Sequence, residues 1–383
     1  MTNKPYISVV LPCLNEELAI TSCLDEIKRT ELEYKLNLEI IVVNNNSTDN
    51  TADIVINYAK SAANLFFVNE DRNGYGFAYL RGLSATNGKY IFMADADGTY
   101  NFAQIPEFIK KLEEGNDLVV GNRFAKKIAS KSMPWLHKYV GNPVLSGLVR
   151  LLFGIKIHDI HCGARAISGQ ALKRLNLYTG GMEFASEMII AANKEKLKIA
   201  EIPVDYRDRL GKSKLNSWVD GWRHLRFILL YSPLVLFFFP GLIFFLLGAF
   251  FMFLFYLYQP AFFGIQFYNY PMFLFSLMII LGYQLIQFSL FSKIYAINHL
   301  GDKNKYIESV FNKITIEKTI IIGLAIALVG GVIYISIFKE WVNSGFGSLM
   351  AFKKSVVGLT LIFLGMQTFF SSFIFSILGI KKL

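Results

Sequence analysis

Short apolar runs at residues 7–11, 39–43, 65–68, 90–94 and 118–120 are rich in the β-branched and aromatic side chains that fit a pleated surface. Segments with helical spacing of apolar positions fall between them at 16–30, 51–61 and 75–85. Strand and helix in alternation predict an α/β domain with a mainly parallel sheet. From residue 227 to 292 the pattern changes, because no Asp, Glu, Lys, Arg or His occurs there. That stretch accommodates two helices of about 20 residues with a turn between them. Two more uncharged apolar runs follow at 319–338 and 355–380. A soluble core helix needs no such run, so four transmembrane helices are expected at about 232–258, 271–296, 319–338 and 355–380. The expected organisation is an α/β domain over 1–210, a juxtamembrane loop and interfacial helix over 211–231, and a transmembrane domain over 232–383. Trp218 and Trp222, with Arg223 and Arg226, suit the interfacial helix, where amphipathic rings and basic side chains belong without any catalytic role.

Composition agrees, since 53% hydrophobic and 18% charged residues over 383 positions are too apolar for one soluble globule. The net charge of +10 does not call for nucleic acid, because much of the basic excess lies beside the apolar runs, where anionic membrane lipids are the nearer partner. The first twelve residues carry one Lys and lead directly into a strand-like run, which is too short for a signal sequence. The N-terminal domain is therefore expected in the cytoplasm, with the protein in the cell membrane. Basic residues vote the same way: Lys212, Lys214, Arg223 and Arg226 precede the first span, and Lys303, Lys305, Lys313 and Lys318 lie between the second and third. The 259–270 loop carries none, and Lys381 and Lys382 place the C-terminus inside as well. Lys339, Lys353 and Lys354 run against this pattern. Cys13, Cys23 and Cys162 have no metal spacing and read as reduced packing residues.

Candidate chemistry sits where the strands end. Asp95-Ala96-Asp97 follows the run at 90–94, so its two carboxylates stand at the carboxyl end of a strand, where open α/β sheets bind ligands. Carboxylates at i and i+2 can reach one divalent cation, although two Asp with a following Gly98 also make an ordinary turn. Pro12-Cys13-Leu14-Asn15-Glu16, Asn44-Asn45-Asn46-Ser47-Thr48-Asp49 and Gly121-Asn122-Arg123 follow other strands and converge on the same edge.

With these loops, Asn73-Gly74-Tyr75-Gly76, Asp159-Ile160-His161-Cys162-Gly163-Ala164-Arg165 and the run from Tyr206 through Arg209-Leu210-Gly211-Lys212-Ser213-Lys214 to Leu215 complete a set in a telling order. Over residues 8–215 the chain resembles a family 2 glycosyltransferase of the GT-A type, within it the polyprenyl-phosphate hexose synthases of the dolichyl-phosphate mannose or glucose group. The resemblance implies that Pro12, Leu14 and Glu16 sit against the nucleoside and that Asp95 and Asp97 hold Mg²⁺ or Mn²⁺ on the diphosphate of a nucleotide-sugar donor. Arg123 borders the sugar and phosphate, and Arg209, Ser213 and Lys214 form a phosphate-gripping loop, which is also placed for lipid contact beside the membrane. Where the family has an Asp that accepts a hydrogen bond from the base, this chain has Asn44, whose carbonyl accepts without charge. For the acceptor phosphate, mannose-type relatives place an Arg and then a Ser four positions on. Lys138 and Asn142 keep that spacing here, on one expected helix face.

His137 and His161 have no second ligand at metal spacing and read as packing or hydrogen-bonding residues. Glu183 and Glu187 share a helical face and suit either acceptor orientation or structural ion pairing. The function expected is inverting transfer of a hexose to a polyprenyl phosphate at the cytoplasmic membrane face. The alternatives are a processive polysaccharide synthase, whose Gln-x-x-Arg-Trp motif no Trp here follows, and a lipid transporter with a nucleotide-sugar domain, although the spans offer only polar groups such as Gln284 and Gln287. The hexose, the nucleotide, the polyprenol and the oligomeric state are left open.

Overall fold

The computed structural model describes residues 5–126, 135, 137–211, 217–258, 261–262, 265–266, 268–299, 316–348 and 350–379, and it divides into two compact units, Met1–Ile228 and Leu229–Leu383. In the first unit the order is β1 (Ile7–Cys13), α1 (Ile20–Tyr34), β2 (Leu38–Asn44), α2 (Thr51–Ala59), β3 (Leu65–Asn69), α3 (Tyr75–Ser84), β4 (Tyr90–Met93), α4 (Ile105–Glu113) and β5 (Leu118–Asn122). There follow α5 (Asn142–Phe153), β6 (Arg165–Ser168), the short α6 (Gly169–Leu172), α7 (Phe184–Lys194), β7 (Ile199–Pro203) and α8 (Ser217–Leu230). The seven strands form one sheet in the order β3-β2-β1-β4-β6-β5-β7, with β6 antiparallel to both neighbours and the other pairs parallel.

This topology fixes the site. The chain winds outward from β1 to β2 and β3 on one side and to β4 on the other, so the order reverses between β1 and β4, and the crevice outside their carboxyl ends is a ligand position. The loops after Cys13 and Met93 flank it. β1 is buried on both faces, which is why its sequence runs apolar without alternation. The two strands beyond the apolar-run pattern have physical reasons to escape it: β6 is four residues long and begins with Arg165, and β7 is a partly exposed edge strand ending in Pro203. Helix α1 begins at Ile20 rather than residue 16, because residues 15–17 are engaged by the 47–51 loop, with Glu16 N–H donating to Thr51 Oγ1 at 2.8 Å and Asn15 N–H to Ser47 Oγ at 3.0 Å.

The second unit contains α9 (Phe239–Leu257), α10 (Pro271–His299), α11 (Ile316–Asn343) and α12 (Phe352–Gly379). With a preceding π-helical turn, these give four helices long and apolar enough to cross a membrane, Leu234–Leu257, Pro271–Ile297, Ile316–Asn343 and Phe352–Leu378. The third runs past the expected end at residue 338, and in that extension Glu340 pairs with Lys354 at 2.6 Å. Lys353 donates to the Tyr256 carbonyl at 3.1 Å. Glycines set the helix pairing: a Cβ on Gly241 would lie 2.8 Å from the Gly282 carbonyl oxygen, and one on Gly323 would lie 2.8 Å from that of Gly365. The α9/α10 seam is thus repeated in α11/α12. Ser276 with Thr360 and Tyr283 with Thr368, each at 2.6 Å, then join α10 to α12 side by side in parallel.

One close approach positions the crevice wall. The start of α3 docks on the chain at 179–180 through Gly76 N–H to the Gly180 carbonyl at 3.0 Å, and a Cβ on Gly76 would stand 2.1 Å from the Thr179 carbonyl oxygen. Backbone cannot yield as a flexible side chain would. Gly76→Ala is expected to destabilise the protein by about 1 to 3 kcal/mol. Gly147→Ala, inside α5 with its nearest neighbour 3.8 Å away, should instead be neutral or stabilising. Thermal denaturation of the two full-length variants in one detergent checks the contrast.

Candidate active site

A cleft of about 780 Å³ opens at the crevice, and Pro12, Leu14, Glu16, Asp95, Asp97 and Arg209 all line it. Asp95 follows β4, and its Oδ1 accepts hydrogen bonds from the hydroxyls of Tyr75 at 3.0 Å and Tyr79 at 3.2 Å. These tyrosines stand one turn apart on α3, which aims both at one oxygen. Burial, reinforced by the Asp97 charge, pushes Asp95 up to about 6, with the tyrosine hydroxyls opposing. Asp97 Oδ1 accepts from Thr99 N–H at 3.0 Å and from Thr99 Oγ1 at 2.6 Å, which fixes the turn. Its Oδ2 faces Arg209 Nη1 at 2.9 Å, while Arg209 Nη2 donates to Glu16. The cation arrives there because Leu210 N–H donates to the Asp97 carbonyl at 3.0 Å and Arg207 N–H to that of Thr99 at 2.8 Å. Gly98, at φ +80, lies beneath Leu210. Arg209 Nε is buried and has no hydrogen-bond partner among the described residues.

The donor set suits a hard divalent cation. Asp95 and Asp97 are oxygen ligands, and among the described residues no group of three His, Cys, Asp or Glu side chains could hold a metal alone. A Mg²⁺-type ion takes one or two carboxylates and completes its shell with phosphate oxygens and water.

Other expected positions are distributed unevenly. Arg123 lines the cleft, but Asp159 engages it through Nε at 2.7 Å and Nη2 at 2.8 Å, and Asp159 also accepts from Arg123 N–H at 3.1 Å. Asn44 is not among the cleft-lining residues: its Nδ2 donates to Asn69 Oδ1 at 3.1 Å, and its Oδ1 accepts from Ser47 N–H at 3.2 Å. Asn45, next along the strand end, lines the cleft instead and holds Gly74 N–H at 2.8 Å. Lys138 and Asn142 part company as well. Asn142 opens α5 on the cleft wall, whereas Lys138 sits in a π-helical turn (His137–Gly141) with its ammonium 5.4 Å from the Tyr139 ring. Lys138 is not among the cleft-lining residues. Ser213 and Lys214 lie outside the described residues.

Glu187 is structural, accepting from Thr179 Oγ1 at 2.6 Å and from the Tyr178 and Thr179 N–H groups. Arg165 clamps the carbonyls of Ile160, Cys162 and Ala185. Sequence alone assigned no role to Tyr79 or His224, and none to Tyr206 beyond opening the 206–215 run; Tyr206 and His224 line the cleft. The tyrosines at 75 and 79 carried a usable signal, two hydroxyls one turn apart; His224 carried none.

Residues 8–175 match the family described as glycosyl transferase family 2, and residues 290–379 match the glycosyltransferase family 2 C-terminal transmembrane region. The chain is similar to the low-salt glycan biosynthesis hexosyltransferase Agl6 of Haloferax volcanii, with 34% identity over 98% of this chain and 89% of that one. It is also similar to a dolichyl-phosphate hexose transferase of the same organism, with 30% identity over 56% of this chain and 89% of the relative. A dolichyl-phosphate beta-glucosyltransferase of Trichomonas vaginalis is 30% identical over 57% of this chain and 71% of its own length. Among solved structures, glucosyl-3-phosphoglycerate synthase of Mycobacterium tuberculosis with Mn²⁺, UDP-glucose and glycerol 3-phosphate overlaps 60% of this chain and 80% of its own at 23% identity, with a TM-score of 0.46.

The Arg123–Asp159 pair yields a prediction. Asp159 is fully buried and Arg123 nearly so, and removing one partner strands a buried charge. Asp159→Asn should cost about 3 to 5 kcal/mol, while Arg123→Met with Asp159→Leu should recover most of the loss. Thermal denaturation of the detergent-solubilised chain measures both.

Proposed function

The chain belongs to glycosyltransferase family 2, and we propose that it transfers a hexose from a nucleotide sugar, of the UDP-glucose or GDP-mannose type, to the phosphate of a membrane polyprenyl phosphate. The observation that carries this reading is the convergence of Asp95, Asp97, Glu16 and Arg209 at the switch crevice of a domain whose chain continues into four apolar helices. A charged diphosphate needs the first feature, and a lipid acceptor gives the second a purpose. The dolichyl-phosphate relatives support a lipid phosphate as acceptor.

Asp95 and Asp97 would hold Mg²⁺ or Mn²⁺, which neutralises the nucleoside diphosphate as it departs. The chain's own residues do the rest. Tyr75 and Tyr79 hold the Asp95 carboxylate in place, Thr99 holds that of Asp97, and Arg209 brings a guanidinium whose Nε is still unspent to where negative charge grows. Pro12 and Leu14 supply an apolar wall for the base. The acceptor is a phosphate monoester with a second pKa near 6, so at pH 7 it is mostly a dianion and already a nucleophile. Its oxygen bonds to the anomeric carbon as the bond from that carbon to the diphosphate breaks, the electron pair leaving with the diphosphate. No general base is required. That fits the commitments of Asp159 to Arg123 and of Glu187 to Thr179, which leave neither poised to take a proton. One displacement inverts the anomeric centre.

The catalytic unit and both termini are assigned to the cytoplasmic side on the distribution of basic residues. Lys354, which ran against that distribution, is matched by Glu340, so one of the three basic residues of that loop is neutralised there.

Asp97→Asn and Asp95→Asn should each lower turnover by about 100-fold or more in saturating metal while leaving expression and melting behaviour close to wild type. Activity within a few-fold of wild type for both would remove them from the metal site. A reporter fused after Leu383 should read cytoplasmic. An outside reading means an odd number of spans.

A further inference from the structure

Three arginines line the cleft, Arg123, Arg209 and Arg223. The third, Arg223, comes from α8, and its neighbours Trp222 and His224 line the cleft with it. Their placement is built. His224 is buried, and its Nδ1 lies 3.1 Å from Ser186 Oγ in the first turn of α7. The same hydroxyl lies 3.3 Å from His161 Nε2, and the two imidazoles meet edge to face at 4.3 Å. One serine hydroxyl, with one proton and two lone pairs, thus ties the two imidazoles together. His161 lines the same cleft as Asp95 and Asp97, and Gly163, two residues on, packs against Asp95. α8 is thereby pinned against the segment beside the metal-binding pair.

Resting on the polyprenyl-phosphate reading, we propose that Arg223 receives the acceptor's phosphate, that Trp222 covers the first isoprene unit, and that His224, through Ser186 and His161, is the positioning residue that aims them into the cleft. Three observations favour this over a purely interfacial role. Arg223 lines the same cleft as Asp95 and Arg209, so a phosphate on it stands in the chamber where the donor's diphosphate is held. Trp222 is 59% exposed yet part of the cleft wall, which suits a flat apolar surface for a tail leaving the cleft. The chain also passes from α8 into the first apolar span, which begins at Leu234, and an acceptor anchored in lipid presents its phosphate at that level.

The test uses the full-length protein in neutral detergent with geranyl phosphate, a short acceptor that needs no bilayer. Arg223→Gln should raise the KM for geranyl phosphate about ten- to a hundredfold, the size of one lost charge-assisted hydrogen-bond pair, and leave the donor KM and Kd for UDP with Mn²⁺ within about twofold. Arg223→Lys should recover only part of this, because an ammonium cannot make a bidentate contact. Ser186→Ala should raise the acceptor KM more than it lowers kcat. An arginine that only holds α8 on anionic lipid would leave all constants for this soluble acceptor unchanged, and that result overturns the proposal, as does a shift in UDP binding instead. If wild type transfers nothing to any polyprenyl phosphate, the functional reading fails. The phosphate seat is then judged by calorimetry alone: it stands if wild type binds geranyl phosphate more tightly than geraniol and Arg223→Gln removes the difference, and falls otherwise.

Discussion

Arg209, held between Asp97 and Glu16, is the interaction on which the rest of the site depends. Glu16, Asp95 and Asp97 converge where the strand order reverses, and like charges at that separation oppose one another. Burial first, and the Asp97 charge second, raise the proton affinity of Asp95. The guanidinium relieves that opposition, and it can do so only because the chain at 206–210 pairs with 97–100 and delivers the side chain across the crevice. The sheet order and the glycine beneath Leu210 serve that delivery, and the tyrosines on α3 hold Asp95 beside it. The outcome is a site that holds negative charge in readiness for a cation and positive charge in readiness for a phosphate.

Much of the fold was legible because parallel strands buried on both faces leave continuous apolar runs, as residues 7–11 and 39–43 do. β6 escaped because an antiparallel strand of four residues with a buried Arg has no such signature, and β7 because an edge strand has only one face to bury. The site was legible where chemistry and topology coincide: Asp95 and Asp97 stand at a strand end and line the crevice. It was illegible where a single residue decides which way a side chain points. Asn44 and Asn45 are neighbours at the end of one strand, and the one turned toward the cleft is set by contacts with Asn69 and Gly74 from the next loop. Lys138 and Asn142 keep a helical spacing, yet of the two only Asn142 lines the cleft. His224 was hidden in a segment whose basic and aromatic composition already had a sufficient explanation in the membrane interface.

The membrane unit follows a different logic. In lipid there is little hydrophobic force between helices, so close approach at glycine and hydrogen bonds between hydroxyls do the pairing. The same glycine seam is built twice, in α9 with α10 and in α11 with α12, and the hydroxyl pairs join the two hairpins. Neither feature needs an ionisable group in the membrane, in keeping with helices that anchor a reaction rather than conduct a substrate.

The central claim is that a polyprenyl phosphate attacks the sugar directly. Purified protein incubated with Mn²⁺, a panel of α-linked UDP- and GDP-hexoses and a polyprenyl phosphate should yield one lipid whose mass is that of the acceptor plus a single hexose. Proton NMR of that lipid should show the β configuration. A polymer, a free sugar or an α-linked product would contradict the account.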